Sequence, residues 1–210
     1  MELYRMSPLQ FFLAGGPVMW PILLCSIFAF AIIIVKFWQL HKINIDTREF
    51  LNNILEKIKR HLIKEAIQIC DNTDNPIARV LKAGILKYDR SREQIKEAIE
   101  DASLYEIPKL EKYLSALATI AHVSPLLGLL GTVTGMVRCF QVIQAKATSF
   151  HPVSPGDLAG GIWEALLTTV AGLIIAIPTF VAYNYLVNRI NSFILEMEKA
   201  STELVNFLTE

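Results

Sequence analysis

A single carboxylate, Glu164, stands near the start of a membrane-length apolar run, GGIWEALLTTVAGLIIAIPTFVAYNY at 160–185. A carboxylate inside a bilayer costs about 2.5–3.5 kcal/mol on insertion scales, so it persists where it faces a bundle interior, pairs, or exchanges a proton. Two hydroxyls follow at Thr168 and Thr169, then Gly172, Ala176 and Pro178. Such a helix lines something polar between packed neighbours. Two readings of Glu164 stay open from the residues alone. Either it works inside the bundle, or it lies high enough, two residues into its span, to reach water at the outer interface. The hydroxyls of Thr132 and Thr169 are equally open: they line a polar track, or they bond their own helix's i−4 carbonyls.

A spanning helix needs roughly 20 mainly apolar residues, and three segments of this 210-residue chain qualify: 18–35, 114–137 and 162–185. The composition, 53% hydrophobic with a mean hydropathy of +0.40, is apolar for a soluble domain. The first span has Ser26 as its one polar side chain. It lacks the basic leader and small-residue cleavage site of a signal peptide. In the second, Ser124, Gly128 and Thr132 are spaced by four, and Gly131 with Gly135 makes GxxxG. The third repeats the pattern in Gly161, Ala165 and Thr169, and in Thr168, Gly172 and Ala176. Small faces of this kind let helices approach closely, and for the glycines and alanines packing alone is the favoured reading.

Net charge is zero, but fifteen of the twenty Lys and Arg fall in 36–113. The positive-inside rule puts that segment in the cytoplasm. The leader 1–17 and the 138–161 loop then lie outside in the periplasm, and the tail 186–210 lies inside. In the leader, Ser7-Pro8 starts a small amphipathic turn with Leu9, Phe11, Phe12 and Leu13 at an interface, broken by Gly15-Gly16-Pro17. The cytoplasmic segment reads as helical. Phe50, Leu51, Ile54, Leu55, Ile58, Leu62, Ala66 and Ile69 form one stripe over 47–70. The run Asn72 to Pro76 is a turn, and a second helix covers about 77–88. Ser91 and Gln94 make a capping box. From there one helix is expected from about 91 to 137, roughly 70 Å long, kinked at Pro108. No strand signal is strong.

The chain carries no Walker loop, GxGxxG, HExxH or Cys/His metal spacing, so no enzyme chemistry or cofactor is expected. The basic residues of 36–113 are matched by thirteen acids, which gives no support to nucleic-acid binding. Cys25, Cys70 and Cys139 lie too far apart in this topology to pair. His122, inside span two, is either a packed residue or a proton relay.

The blocks SPLLGLLGTVTGM at 124–136 and GGIWEALLTTVAGLIIAIPTFVAYN at 160–184 resemble the MotA/TolQ/ExbB proton-channel family. They cover the two C-terminal spans, and GGPVMWPILL at 15–24 is most like the family's ExbB branch. The resemblance implies an all-α membrane protein, with long helices extending into a cytoplasmic helical domain and five copies around a central pore. A dimer of a single-span ExbD-like or TolR-like partner, carrying an essential Asp, sits in that pore. The job implied is coupling proton flow across the bacterial inner membrane to a TonB-like protein serving outer-membrane transport, with protons as the coupling ion. A TolQ-type role through a TolA-like protein, in envelope integrity and cell division, is the alternative. A solute exporter component or a structural scaffold is less favoured. Residue by residue, the family's span-three Glu falls on Glu164, its pore-facing Thr on Thr169, and the span-two Thr on Thr132. Its Pro and Tyr-Asn fall on Pro178 and on Tyr183-Asn184. Thr168 is often Ala in familiar members and takes no role. Glu164 and Thr169 are then expected to face the pore, and Phe28, Phe30 and Ile33 the lipid.

Overall fold

The computed structural model describes residues 12–148 and 152–209. Among these residues there is no strand. From Met19 onward the helices among them follow in order: α1 (Met19–Lys42), α2 (Thr47–Lys59), α3 (Ile63–Asn72), α4 (Pro76–Ile85), α5 (Arg92–Glu111), α6 (Leu114–Thr148) and α7 (Pro155–Thr209). Three stretches are long and apolar enough to cross a membrane: α1, the run 92–147 that contains α6, and α7. The chain divides into two compact units, residues 1–34 with 115–184 and residues 35–114 with 185–210.

The first unit holds the apolar spans. Its small core joins Val18, Met19 and Ile22 of the α1 start to Ala171 of α7, with Phe12, Leu127 and Ile175 packed around them. The edge of Phe12 meets Trp20 at 5.0 Å between centroids. The interfacial turn expected from Ser7 lies outside the described residues as far as Phe11; residues 12–14 are helical. Phe28 and Phe30 are exposed on this unit, while Ile33 is half-buried.

The stretch 138–161 is largely helical rather than an open loop, because α6 runs on to Thr148 and α7 begins at Pro155. The α7 start explains itself locally. Pro155 takes the first helical position, where its missing N–H is not needed. Asp157 accepts from the backbone N–H and hydroxyl of Ser154, both at 2.8 Å, as the acidic half of a capping box. Lys146 of α6 donates to the same carboxylate at 2.5 Å and fastens the two helix ends together.

The second unit packs the short helices α2–α5 on buried apolar residues. The stripe read over 47–70 is cut in two. Leu51, Ile54 and Ile58 are buried from α2, and Ala66 and Cys70 from α3. Between them His61 takes φ 61°. Its N–H bonds the Ile58 carbonyl, and that of Leu62 bonds the Lys57 carbonyl, both at 2.9 Å. This is a Schellman cap with histidine in the place usually held by glycine. At the next corner Asn75 accepts from the N–H of Ile77 at 2.8 Å and starts α4, with Pro76 in its first turn. Ser91 caps α5 by accepting from the Gln94 N–H at 3.4 Å.

The single helix expected over 91–137 is also broken. It ends at Glu111; Lys112 is extended at ψ 133° and Tyr113 has φ 72°. The ammonium of Lys112 lies 4.8 Å above the Tyr113 ring, a cation–π contact that helps hold this strained corner. A helix end leaves its last carbonyls without partners, and Lys36 fills one such gap. This lysine is 1% exposed. Its Nζ donates to the Leu110 carbonyl at 2.7 Å and to Gln39 Oε1 at 3.0 Å. Lys36→Met keeps much of the stem but leaves that buried carbonyl unpaired. The expected loss is about 1–3 kcal/mol, measurable as a lowered midpoint in thermal unfolding of the detergent-purified protein.

Glu106 occupies a core position between Ile99 and Leu110 on α5. Arg79 of α4 donates to its Oε2 at 2.8 Å and Lys109 to its Oε1 at 2.7 Å. Burial is the largest single influence on this carboxyl and pushes it up, but the two cations together hold it below its ordinary 4.5. A depressed carboxyl adds stability at pH above its unfolded value, and that stability is lost as pH falls through the folded value. Acid should therefore destabilise the wild type below pH about 4.5, and Glu106→Gln should flatten that limb. The size is about 1 kcal/mol, because both cations are partly solvated. Chemical unfolding across the acid range reads it directly.

Candidate functional site

The spacing of small residues on α6 and α7 sets how close the two helices come. A Cβ on Gly172 would stand 2.6 Å from the Ser124 carbonyl oxygen, and one on Gly128 would stand 3.0 Å from Thr169 Cα. Gly135 and Gly161 each face the other's carbonyl, at 2.5 and 2.7 Å from the respective ideal Cβ positions. The space beside Gly131 is filled by the Thr168 side chain, which is fully buried. The pairs run 124 with 172, 128 with 169 and 135 with 161, so the helices cross antiparallel. Pro125 and Pro178 lie inside α6 and α7 without ending them.

This seam decides where the hydroxyls point. Thr169 Oγ1 donates to the Gly128 carbonyl across the seam and to Ala165 of its own helix, both at 3.2 Å. Thr132 Oγ1 donates to the Leu129 carbonyl at 2.6 Å, and Thr134 Oγ1 to that of Gly131 at 3.0 Å. Thr168 Oγ1 lies 2.9 Å from the Ala165 carbonyl and 3.1 Å from that of Glu164. Thr169 thus makes the i−4 back-bond and also crosses to its neighbour, while Thr132 bonds back to i−3 instead. Both are half-buried. Because each hydroxyl hydrogen is engaged by a carbonyl, the oxygen that remains is an acceptor.

Glu164 is not open to water in this unit; its side chain is 7% exposed. Oε2 is in contact with Nη1 of Arg138, on α6, while Oε1 has no hydrogen-bond partner among the described residues. Oε1 occupies the volume that a Cβ on Gly16 would take, and Gly16 sits at φ +68°. The sequence assigns Arg138 no role beyond being the first residue of the 138–161 loop. A usable signal was there: one cation just past the apolar end of span two, and one anion just inside span three. Thr168, which the spacing puts on a packing face with Gly172 and Ala176, does pack: its side chain fills the space left by Gly131.

The remaining candidates lie apart from this cluster. Tyr183 is half-buried and Pro178 and Asn184 are exposed. Tyr183 is nineteen residues beyond Glu164 along α7, about 28 Å of helix. His122 is exposed, with its ring centroid 6.0 Å from that of Phe180. The thiols of Cys25, Cys70 and Cys139 are all free. Cys139 is buried and its Sγ lies 3.4 Å from the Leu158 carbonyl.

An antiparallel pair of membrane-length helices, sealed by glycines and carrying a buried carboxylate paired to a half-exposed arginine and a threonine hydroxyl bonded across the seam, is the architecture of a polar membrane site rather than of a plain anchor. The chain belongs to the MotA/TolQ/ExbB proton channel family, whose profile matches residues 72–199. It is similar to an ExbB-like protein of Synechocystis, 33% identical over 82% of this chain and 81% of the relative. It is also similar to an ExbB homologue of Methanothermobacter thermautotrophicus, 29% identical over 90% of this chain and 66% of that protein's length. The Tol-Pal system protein TolQ of Haemophilus influenzae is 44% identical over 41% of the chain and 36% of its own length.

Proposed function

We propose that this chain is an ExbB-type subunit of a proton-driven motor in a bacterial inner membrane. Five copies surround a pore, and an ExbD-like dimer of single-span helices carries the acid that receives the proton. A TonB-like protein passes the work to outer-membrane transport. No covalent chemistry is assigned to the chain, and protons are the coupling ion. Residues 36–113 and 186–210 lie in the cytoplasm, with the N-terminus and 138–161 on the other side.

The observation that carries the reading is the Thr169 hydroxyl bonded across the helix seam to the Gly128 carbonyl, with the Thr132 hydroxyl four residues further along α6. A hydroxyl whose hydrogen is already given to a carbonyl accepts from a protonated acid. It cannot store a proton itself. From Thr169 to Asn184 the one ionisable side chain is Tyr183. The one hydroxyl between them, Thr179, is buried and donates to the Ile175 carbonyl at 2.6 Å. That stretch is about 22 Å of helix, so an acid from a partner is needed to bridge it. The local likeness to TolQ favours a second reading, in which the partners are TolR-like and TolA-like and the work serves the cell envelope. Native mass spectrometry after mild detergent extraction tests the assembly. A pentamer carrying a small single-span protein supports it, and a lone monomer or dimer contradicts it.

A further inference from the structure

We infer that Arg138 is a positioning residue for Glu164: it holds the carboxylate as half of a fixed ion pair, while Gly16 closes over the other oxygen. The inference rests on the proton-channel reading and divides its labour. The threonine level meets the travelling proton, and the Glu164–Arg138 level fixes the geometry in which it does so.

Glu164 is gripped from two directions. Nη1 of Arg138 contacts Oε2. Oε1 lies against Gly16, whose φ of +68° and missing Cβ leave exactly that oxygen its space. The burial is asymmetric, with the carboxylate side chain 7% exposed and the guanidinium side chain 51%. The anion is therefore the group that depends on its partner. Among the described residues Arg138 is the cation paired with Glu164. Residues 12–18, which supply Gly16, carry no ionisable side chain. The next acid along α7, Asp157, is engaged by Lys146 and Ser154. On α6 the neighbouring titratable group is the buried Cys139 thiol, bonded to the Leu158 carbonyl.

Removing the partner of a buried charge leaves that charge uncompensated and costs far more than replacing both, and here the buried charge is Glu164. A carboxylate pinned in this way is a poor mobile carrier, since taking up a proton means giving up its counter-charge. It is well suited to tying three parts of one unit together: the α1 approach through Gly16, α6 through Arg138, and α7. The contact uses one guanidinium nitrogen and one carboxylate oxygen, so a point charge can substitute for the planar fork.

The test uses the complex with its single-span partner, reconstituted in liposomes, with proton flux read per assembled complex and thermal stability read in detergent. R138M should lose flux by roughly tenfold or more, because the partnerless charge is the costly case. R138K should recover most of that loss, and R138Q/E164Q should be more stable than R138Q alone. Wild-type flux in R138M, or R138K as inactive as R138M, would overturn the pair's role. If the wild-type complex itself conducts nothing, the proton-channel reading fails. The stability order of R138M, R138K and the double variant then still decides the pairing, with R138K no better than R138M overturning it.

Discussion

Thr169→Val should give complexes that assemble normally and conduct protons about a hundredfold less well, the lower end of what a positioned proton-transfer group supplies. The two effects separate because they rest on different atoms. Valine keeps the β-branched shape and the packing against Gly128. The Gly128 and Ala165 carbonyls that the hydroxyl touches, both at 3.2 Å, lie inside helices and keep their backbone donors. The stability cost is thus about 0.5–1.5 kcal/mol, the worth of one net hydrogen bond. Flux loses the half-buried acceptor oxygen of that turn of α7, since the neighbouring Thr168 hydroxyl is fully buried against Gly131. Thr169→Ser, which restores the oxygen, should restore most of the flux. Assembled Thr169→Val complexes with full flux would remove the residue from the mechanism.

Gly131→Val should act oppositely and remove the assembled protein altogether. The volume a new side chain needs is held by Thr168, with its Cγ2 2.8 Å from the ideal Cβ and its other atoms nearer. Overpacking alone costs about 1–3 kcal/mol. Here the helices must also part along a seam where Gly135 and Gly161 stand against each other's carbonyls. In a bilayer that close approach is the main source of helix association. Membrane abundance and the unfolding midpoint both report it. The clash names its own suppressor: Gly131→Ala should be destabilising alone and milder when combined with Thr168→Ala. No relief from the second change would mean that Thr168 is not what fills the gap.

What could be read from the sequence was local. Apolar length gave the three spans, small residues four apart gave the faces of the α6–α7 seam, and Glu164 stood out because acids in spans are rare. The helix start at Ser91 followed from its capping box, and the corner before α4 from the turn chemistry of residues 72–76. The breaks at His61 and Tyr113 did not, because both put non-glycine residues at positive φ and the apolar stripe runs straight through them. The partners were hidden for a different reason. Glu106 meets Arg79 across 27 positions and Glu164 meets Arg138 across 26, distances at which periodicity says nothing. Gly16 looked like a simple helix breaker, and its service to Glu164 appears only once the chain is folded.

The central claim, that this chain conducts protons together with an acid supplied by a partner, is met most directly by proton flux into liposomes. The comparison is the chain alone against the chain with its single-span partner, at matched copy number. The account predicts flux with the partner present and little without it, since α7 offers no acid between Thr169 and Asn184. Equal flux from the chain alone would contradict it, by showing that the whole path lies within these helices.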